Sequence, residues 1–266
     1  MGYAVPNITG FSSYQANLPA EIENSGWEWE VTFAPVRTTG FSWNVNFNLS
    51  VPKNRINSFQ DFENSPYANL YELGYDVSRV YGYQFLGIDE TTGKATYAGQ
   101  DGNLSNIPYL FNTLGKRSPD YFGGIGTDVS FGGWQLNVFG QFVQQEAKGG
   151  IFYTPGFLMN NFSAITKYPD RFPRPTRMLD TRYGSSSANF RDASYFRLKT
   201  VALSYTITHG QNAYFNAITI FMQGQNVFTL WDKSSMLLDP ESGGLGSGMR
   251  GLPPVKTWML GVDINF

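Results

Sequence analysis

From Phe41 to Val51 apolar and polar residues alternate without a break. Phe41, Trp43, Val45, Phe47, Leu49 and Val51 take one face of an extended chain; Ser42, Asn44, Asn46, Asn48 and Ser50 take the other. Successive side chains of a strand point to opposite faces, so this spacing predicts a two-faced β-strand. Helical spacing would scatter the same residues around a cylinder. Residues 26–36 follow the same plan, with Trp27, Trp29, Val31 and Phe33 against Glu28, Glu30 and Thr32, and the connector 37–40 is short enough for a hairpin. A second hairpin joins 122–131 to 134–145 across Gly132 and Gly133. In it Trp134, Leu136, Val138 and Phe142 share a face opposite Gln135, Asn137 and Gln141, and Phe139 breaks the pattern. A third joins 194–207 to 216–229 around His209, aligning Val201, Leu203, Tyr205 and Ile207 with Ile218, Ile220 and Met222. The last strand, 255–266, sets Trp258, Leu260, Val262, Ile264 and Phe266 against Thr257, Met259, Gly261, Asp263 and Asn265.

Two environments produce such alternation. A soluble sandwich or small barrel buries the apolar face and wets the polar one, whereas a transmembrane barrel turns the apolar face to lipid and the polar face to a hydrated interior. Strands of this length suit a tilted bilayer crossing, which takes about 9–11 residues, better than the ordinary strand of about five or six. The polar face carries Asn, Gln, Ser and Thr with little Lys, unlike a soluble surface strand. Connectors also alternate in length. Those at 37–40, 132–133 and 208–215 are short, and those at 53–121, 146–193 and 230–254 are long, the asymmetry between periplasmic turns and extracellular loops. The expected fold is therefore all-β: an antiparallel transmembrane β-barrel portion of about seven or eight long strands, with short periplasmic turns and long extracellular loops. Trp43, Val45, Phe47, Leu49, Leu136, Val138, Leu203, Leu260, Val262 and Ile264 are expected to face lipid. Trp27, Trp29, Trp43, Trp134 and Trp258 are expected near strand ends, as an interfacial girdle.

Composition narrows the function classes. Charged residues make up 15% of the 266 positions, against about 25% in ordinary globular chains, while 17% are aromatic, far too many for a disordered chain. No apolar stretch of about 18 residues exists to form a membrane helix. The formal net charge of -2 gives no electrostatic case for nucleic acid. With no cysteine and His209 as the only histidine, thiolate metal sites, cysteine nucleophiles and multi-histidine sites are excluded, and no cofactor or metal is expected. Residues 1–25 contain Pro6 and Pro19, no Lys or Arg and no useful apolar run, so they are not expected to be a secretory signal.

Several motifs, in order, carry a resemblance. They are Asn24-Ser-Gly-Trp-Glu28, Phe41-Ser-Trp-Asn-Val-Asn-Phe47, Val80-Tyr-Gly-Tyr-Gln-Phe-Leu-Gly-Ile88 and Leu114-Gly-Lys-Arg-Ser-Pro-Asp-Tyr-Phe-Gly-Gly124. Asp192-Ala-Ser-Tyr-Phe-Arg-Leu-Lys-Thr-Val-Ala-Leu-Ser-Tyr205, Gly224-Gln-Asn-Val-Phe-Thr229, Asp239-Pro-Glu241 and the closing Gly261-Val-Asp-Ile-Asn-Phe266 complete the series. Together they resemble the C-terminal part of SusC/RagA-type TonB-linked outer-membrane proteins of Bacteroidetes. The resemblance implies a larger barrel of about 22 strands with a plugged lumen, energy-coupled import of large nutrients (glycan oligosaccharides or peptides), and a SusD-like surface lipoprotein as partner. It also implies that the remainder of the barrel, the plug and the TonB-contacting segment lie outside residues 1–266, so that this stretch alone is expected not to form a working pore. Phe266, ending an alternating strand, reads as the C-terminal barrel-assembly signal.

Candidate contact residues lie mostly in the long loops. In 146–193, Tyr153, Phe157, Tyr168, Arg171 and Arg174 combine rings that stack on sugars with guanidiniums that bind hydroxyls or carboxylates; packing of the loop on itself or on the lipoprotein competes with ligand contact. Trp231 joins them in the loop 230–254. Arg197 and Lys199, with Tyr195, are expected to face the lumen or rim. Asp89, Glu90, Asp101 and Asn103 lack the alternating carboxylates of a calcium loop and read as turn chemistry. Asp239-Pro-Glu241 has no evident acid–base partner and reads as a loop motif, not a catalytic pair. No nucleophile–base set can be assembled, so an enzyme is not expected. Two other readings stay open at this point. A small complete outer-membrane barrel (porin or adhesin) requires 255–266 to pair with a strand within 1–36, and a soluble β carbohydrate-binding module requires Trp43, Phe47 and Leu49 to be buried.

Overall fold

Alternating sequence becomes paired strand wherever the backbone can complete a ladder. In the computed structural model the described residues are 2–4, 8, 10, 13–15, 17, 19–92, 95–148, 182–208, 215–232, 239–243 and 253–266. In chain order the strands are β1 (Gly2–Ala4), β2 (Ser13–Gln15), β3 (Ala20–Arg37), β4 (Phe41–Phe59), β5 (Arg79–Gly82), β6 (Phe85–Ile88), β7 (Ala95–Tyr97), β8 (Asn112–Lys116), β9 (Tyr121–Phe131), β10 (Trp134–Gln144), β11 (Glu146–Lys148), β12 (Phe190–Asp192), β13 (Tyr195–Thr208), β14 (Ala217–Trp231) and β15 (Thr257–Asn265). Seven of them form one sheet in the order β15-β14-β13-β10-β9-β4-β3. Each sequential neighbour whose register is resolved is antiparallel, an up-and-down meander.

The chain divides into two compact units. One comprises Met1–Ser25, Pro52–Ser118 and Glu146–Arg191; the other comprises Gly26–Val51, Pro119–Gln145 and Asp192–Phe266. The first has an ordinary apolar core, with Ile56, Phe59, Tyr67, Val80, Tyr97, Ala98 and Ala188 buried. Phe59 packs against Phe62 and Tyr67, with ring centroids 5.5 and 6.1 Å away, and Tyr97 packs against Tyr83 at 5.7 Å. The second unit is built on the sheet. Its buried side chains, Val143, Ala193, Tyr195, Arg197, Asp239 and Pro240, gather where β10 ends and β13 begins, and its middle rows have no buried side chain larger than glycine among those described.

Three expectations from the sequence change. β3 starts at Ala20 and β4 runs on to Phe59, through Pro52. The β4–β9 ladder stops at Ser50, so the N–H that Pro52 lacks is not required on that side. Trp27 and Trp29 therefore stand inside β3 and not at its end; their rings stack on each other at 6.2 Å. The connector 53–121 holds β5 to β8, where the alternation pattern marked no strand. β5 pairs with β8 and β6 with β7, each ladder interrupted by a register shift, beside Gly115 (φ 156°) and Gly87 (φ 143°). Third, β14 continues through Leu230 to Trp231, so Trp231 is a strand residue and not a loop residue.

Two irregularities shape the central strands. Lys199 is skipped between β13 and β10, where Phe139 faces Thr200 and Gly140 faces Leu198. Across the other edge Leu198 faces Phe228 and Thr200 faces Gln225, leaving Asn226 and Val227 opposite Lys199. This is a bulge, and Asn226 takes the left-handed φ of 51° that it needs. Asn tolerates that region far better than a β-branched residue, which accounts for its place in the Gly224–Thr229 motif. Replacing Asn226 with Val is expected to cost about 1–3 kcal/mol through backbone strain. Replacing it with Gly keeps the conformation and loses the Nδ2 bond to the Val255 carbonyl (3.1 Å), so chemical denaturation should rank Val well below Gly.

Candidate functional site: a two-faced sheet and its charged anchor

Register converts the alternation of single strands into rows across the sheet. Residues directly opposite each other in an antiparallel pair share a face. Trp43, Val129, Leu136, Leu203, Met222 and Leu260 are therefore one row across six strands. A neighbouring row runs Phe41, Phe131, Trp134, Tyr205, Ile220 and Val262, and the next runs Val45, Thr127, Val138, Val201, Gly224 and Trp258. No charged side chain interrupts these three rows. The one hydroxyl among their aliphatic residues, on Thr127, is used within the sheet: it accepts from the Trp43 indole (2.8 Å) and donates to the Asn44 carbonyl (3.3 Å). Trp258 lies over Gly224, where a Cβ would come within 2.6 Å of the ring. The face stays uncovered in its unit; Leu260 is 79% exposed and Met222 46%.

Of the residues expected on the apolar face, Trp43, Val45, Leu136, Val138, Leu203, Leu260 and Val262 lie in these rows. Ile264 continues the face beside Ile218, and Phe47 and Leu49 continue it beside Ile125 and Gly123. Trp43 is exposed and Phe47 and Leu49 are half-buried, so none is sealed between sheets as a soluble sandwich requires. β15 pairs with β14 and β3 with β4, the two ends of the sheet; the pairing of 255–266 with a strand in 1–36 that a small closed barrel requires is not formed among the described residues. Phe266 ends the chain beyond β15 and is 83% exposed.

The opposite face is polar. One row runs Ser42, Ser130, Gln135, Ser204, Phe221 and Gly261, and the next runs Asn44, Asp128, Asn137, Ala202, Gln223 and Met259, polar over β4 to β13 apart from Ala202 and interrupted by Phe221 and Met259 beyond them. Ser42 and Ser130 share a hydrogen bond of 2.6 Å. Asp128 accepts from Asn137 at 2.5 Å and from Asn46 at 3.5 Å. A shallow cavity of about 450 Å³ is lined by these groups. Amides and hydroxyls of this kind bind backbone amides, sugar hydroxyls or water. Phe139, the break in the pattern, stands on this face and covers Gly124, where a Cβ would meet its ring at 2.7 Å.

At the β13 end of the polar face the sequence hid a connection. Arg197, 1% exposed, donates to Asp239 at 2.5 Å and pairs with Glu241 at 3.3 Å. Lys199, pushed out by the bulge, pairs with the same Glu241 at 3.1 Å. Asp239 also accepts from the Glu241 amide (2.9 Å), and Gln145 donates to the Pro240 carbonyl (2.9 Å). Asp239-Pro-Glu241, read from the sequence as a loop motif without an acid–base partner, holds its carboxylates as the counter-ions of Arg197 and Lys199. Opposite charges at matching two-residue spacing in the two motifs were the available signal, but nothing in the sequence ties residues so far apart. Trp231 lies beside this anchor, directly across the ladder from Tyr195.

Elsewhere the carboxylates serve local turns. Asp89 accepts from the amide and hydroxyl of Thr92 and from the Thr91 amide, which holds its carboxyl below the usual range. Asp101 is held low by the Asn103 side chain and amide. No group of three or more His, Cys, Asp or Glu side chains is placed to hold a metal ion among the described residues. Tyr153, Phe157, Tyr168, Arg171 and Arg174, like His209, lie outside the described residues.

No family model matches the chain. TonB-dependent receptor P3 of Formosa agariphila is 22% identical across 98% of this chain and 30% of its own length. Receptor P26 of the same organism is 28% identical across 98% of this chain and 31% of its length, and receptor P39 is 37% identical across 41% of this chain. The chain thus spans less than a third of the length of these curated relatives. Among solved structures, the RagAB peptide transporter superposes with a TM-score of 0.75 at 19% identity, over 99% of this chain and 31% of that one. The RagAB peptide importer in its open-open state gives 0.74 at 20%, over 100% and 31%. The chain is thus similar in sequence to TonB-dependent receptors along almost its whole length, and it shares the fold of the matching part of the RagAB transporter.

Proposed function

We propose that residues 1–266 are the C-terminal portion of a receptor barrel in the outer membrane of a Gram-negative bacterium, forming part of the wall of an importer of large nutrients. The cargo is glycan oligosaccharide or peptide, and a SusD-like surface lipoprotein is the partner. The plug and the contact with TonB belong to other parts of the receptor. The role is passage and docking, not chemistry. The observation that carries this reading is the set of three uncharged rows crossing six strands, backed by rows of Asn, Ser, Gln and Asp. A face of that extent without charge has no reason to meet water, and a sheet with one apolar and one amide-rich face matches lipid on one side and a hydrated lumen on the other. In this reading Trp43, Val45, Phe47, Leu49, Leu136, Val138, Leu203, Leu260, Val262 and Ile264 touch acyl chains, and Phe266 is the assembly signal. Tyr153, Phe157, Tyr168, Arg171, Arg174 and Trp231 are candidates for contact with cargo or lid.

Residues 1–266 contain no cysteine, so with any cysteine elsewhere in the receptor replaced by serine, single cysteines introduced here can be read without background. A bimane label at Leu203→Cys is expected to be quenched by nitroxide-labelled lipid in vesicles carrying the assembled receptor. The same label at the neighbouring Ser204→Cys should be insensitive to that lipid and open to aqueous iodide. Equal quenching of both, or the reverse order, would overturn the orientation and with it the transport reading.

A further inference from the structure

The first unit holds a pocket that the barrel wall does not explain. It measures about 380 Å³ and is walled by Leu70 and Leu110 and by the rings of Tyr71, Tyr81 and Phe111. Leu70 is 56% exposed and Leu110 40%, so both side chains are open to a ligand. Two guanidiniums, of Arg79 and Arg117, also line it, and no lining residue is a carboxylate.

The arginines differ in what already holds them. Arg79 is fixed: Glu72 accepts from it at 2.9 Å, and its guanidinium lies 3.9 Å from the centre of the Tyr75 ring. Glu72 also accepts from the Tyr81 hydroxyl at 3.1 Å. Burial first, and that hydrogen bond second, push the Tyr81 phenol up to about 12, so it stays neutral at any physiological pH. Arg117 is placed by its backbone, whose amide donates to the Ser78 carbonyl at 3.1 Å. Its exposed guanidinium has no hydrogen bond or ion pair with any described residue. The pocket therefore offers aliphatic and aromatic surface, one neutralised arginine and one arginine without an ion pair among the described residues.

We propose that this pocket binds a peptide segment presenting a carboxylate next to an aliphatic side chain, the carboxylate on Arg117 and the side chain between Leu70, Leu110 and Phe111. Charge complementarity selects the anion, since a planar guanidinium matches a carboxylate in a two-pronged bond. The aliphatic lining selects the body. A uronic acid carries the same anion, but its hydroxyls would need several polar partners, and beyond the arginines and the ring hydroxyls the pocket offers Asn69 and a Ser78 whose hydroxyl already donates to Ser118 at 2.9 Å. The site stands apart from the import reading, because it is tested by binding alone.

The assembled receptor in detergent micelles can be titrated calorimetrically with N-acetyl-leucine, N-acetyl-leucinamide, acetate and glucuronate. N-acetyl-leucine is expected to bind at least about tenfold more tightly than its amide or acetate, the loss of one charge-assisted contact or of the apolar body. Arg117→Gln should erase the preference of acid over amide, and Leu110→Ala should narrow the preference over acetate. Both positions are exposed, and an unchanged thermal melt confirms that each variant folds. Equal binding of acid and amide to the unaltered chain, no binding of either, or a preference that survives Arg117→Gln each overturns the site. Glucuronate binding more tightly than N-acetyl-leucine overturns the peptide assignment in favour of acidic sugars.

Discussion

Leu203→Arg is expected to destabilise the membrane-inserted receptor by about 2–4 kcal/mol, the cost of an arginine facing lipid near the midplane of a barrel strand. Leu203 stands well inside β13, opposite Leu136 and Met222, and in the proposed orientation a guanidinium there reaches the headgroups only by distorting its neighbours. An equilibrium constant changes about tenfold per 1.4 kcal/mol, so the effect spans roughly thirtyfold to a thousandfold in folded over unfolded receptor. Urea titration of the receptor in phospholipid vesicles measures it. Ser204→Arg is the control: one residue along, it projects into the polar rows beside Gln135 and faces hydrated amides, so its cost should stay within about 0.5 kcal/mol. The contrast between adjacent positions separates environment from general intolerance to arginine. If Leu203→Arg proves neutral and Ser204→Arg damaging, the apolar rows do not meet lipid.

Much of this arrangement was legible because a strand writes both its faces into the sequence at once. From Phe41 to Val51 the period of two assigns every side chain, and the ladder between β4 and β9 leaves that assignment untouched. What the pattern could not show is where a strand continues after alternation lapses. β4 runs eight residues past Val51 and β14 reaches Trp231 because the backbone went on pairing while side chains stopped alternating. The short strands β5 to β8 were invisible for a related reason. Three to five residues contain too few alternations to stand out, and glycines at positive φ break their register. The link between Arg197 and Asp239 is of another kind, since it depends on tertiary closure of a long connector and has no local signature.

That link supplies the second large effect. Arg197→Met is expected to cost about 3–5 kcal/mol, because it leaves the carboxylate of Asp239 buried without its cation. The side chains of Arg197 and Asp239 are 1% and 7% exposed, so water cannot take over the solvation that the partner provided. Were the pair on the surface, the same change would cost about 0–1 kcal/mol. That smaller figure is the expectation for Lys199→Met, whose partner Glu241 is 37% exposed. The double replacement Arg197→Met with Asp239→Leu removes both charges together and should recover much of the loss, since a buried ion pair is often exchanged for apolar residues of similar volume at little cost. Denaturant titration of the three variants ranks them. Limited proteolysis adds a readout that global stability lacks, because Asp239-Pro240-Glu241 tethers the connector between β14 and β15 to β13. In Arg197→Met the connector should be cut under conditions where the unaltered protein stays intact, with the double variant between the two. Equal costs for Arg197→Met and Lys199→Met, with no recovery in the double variant, would show that burial does not govern this anchor and that it acts as an ordinary surface ion pair.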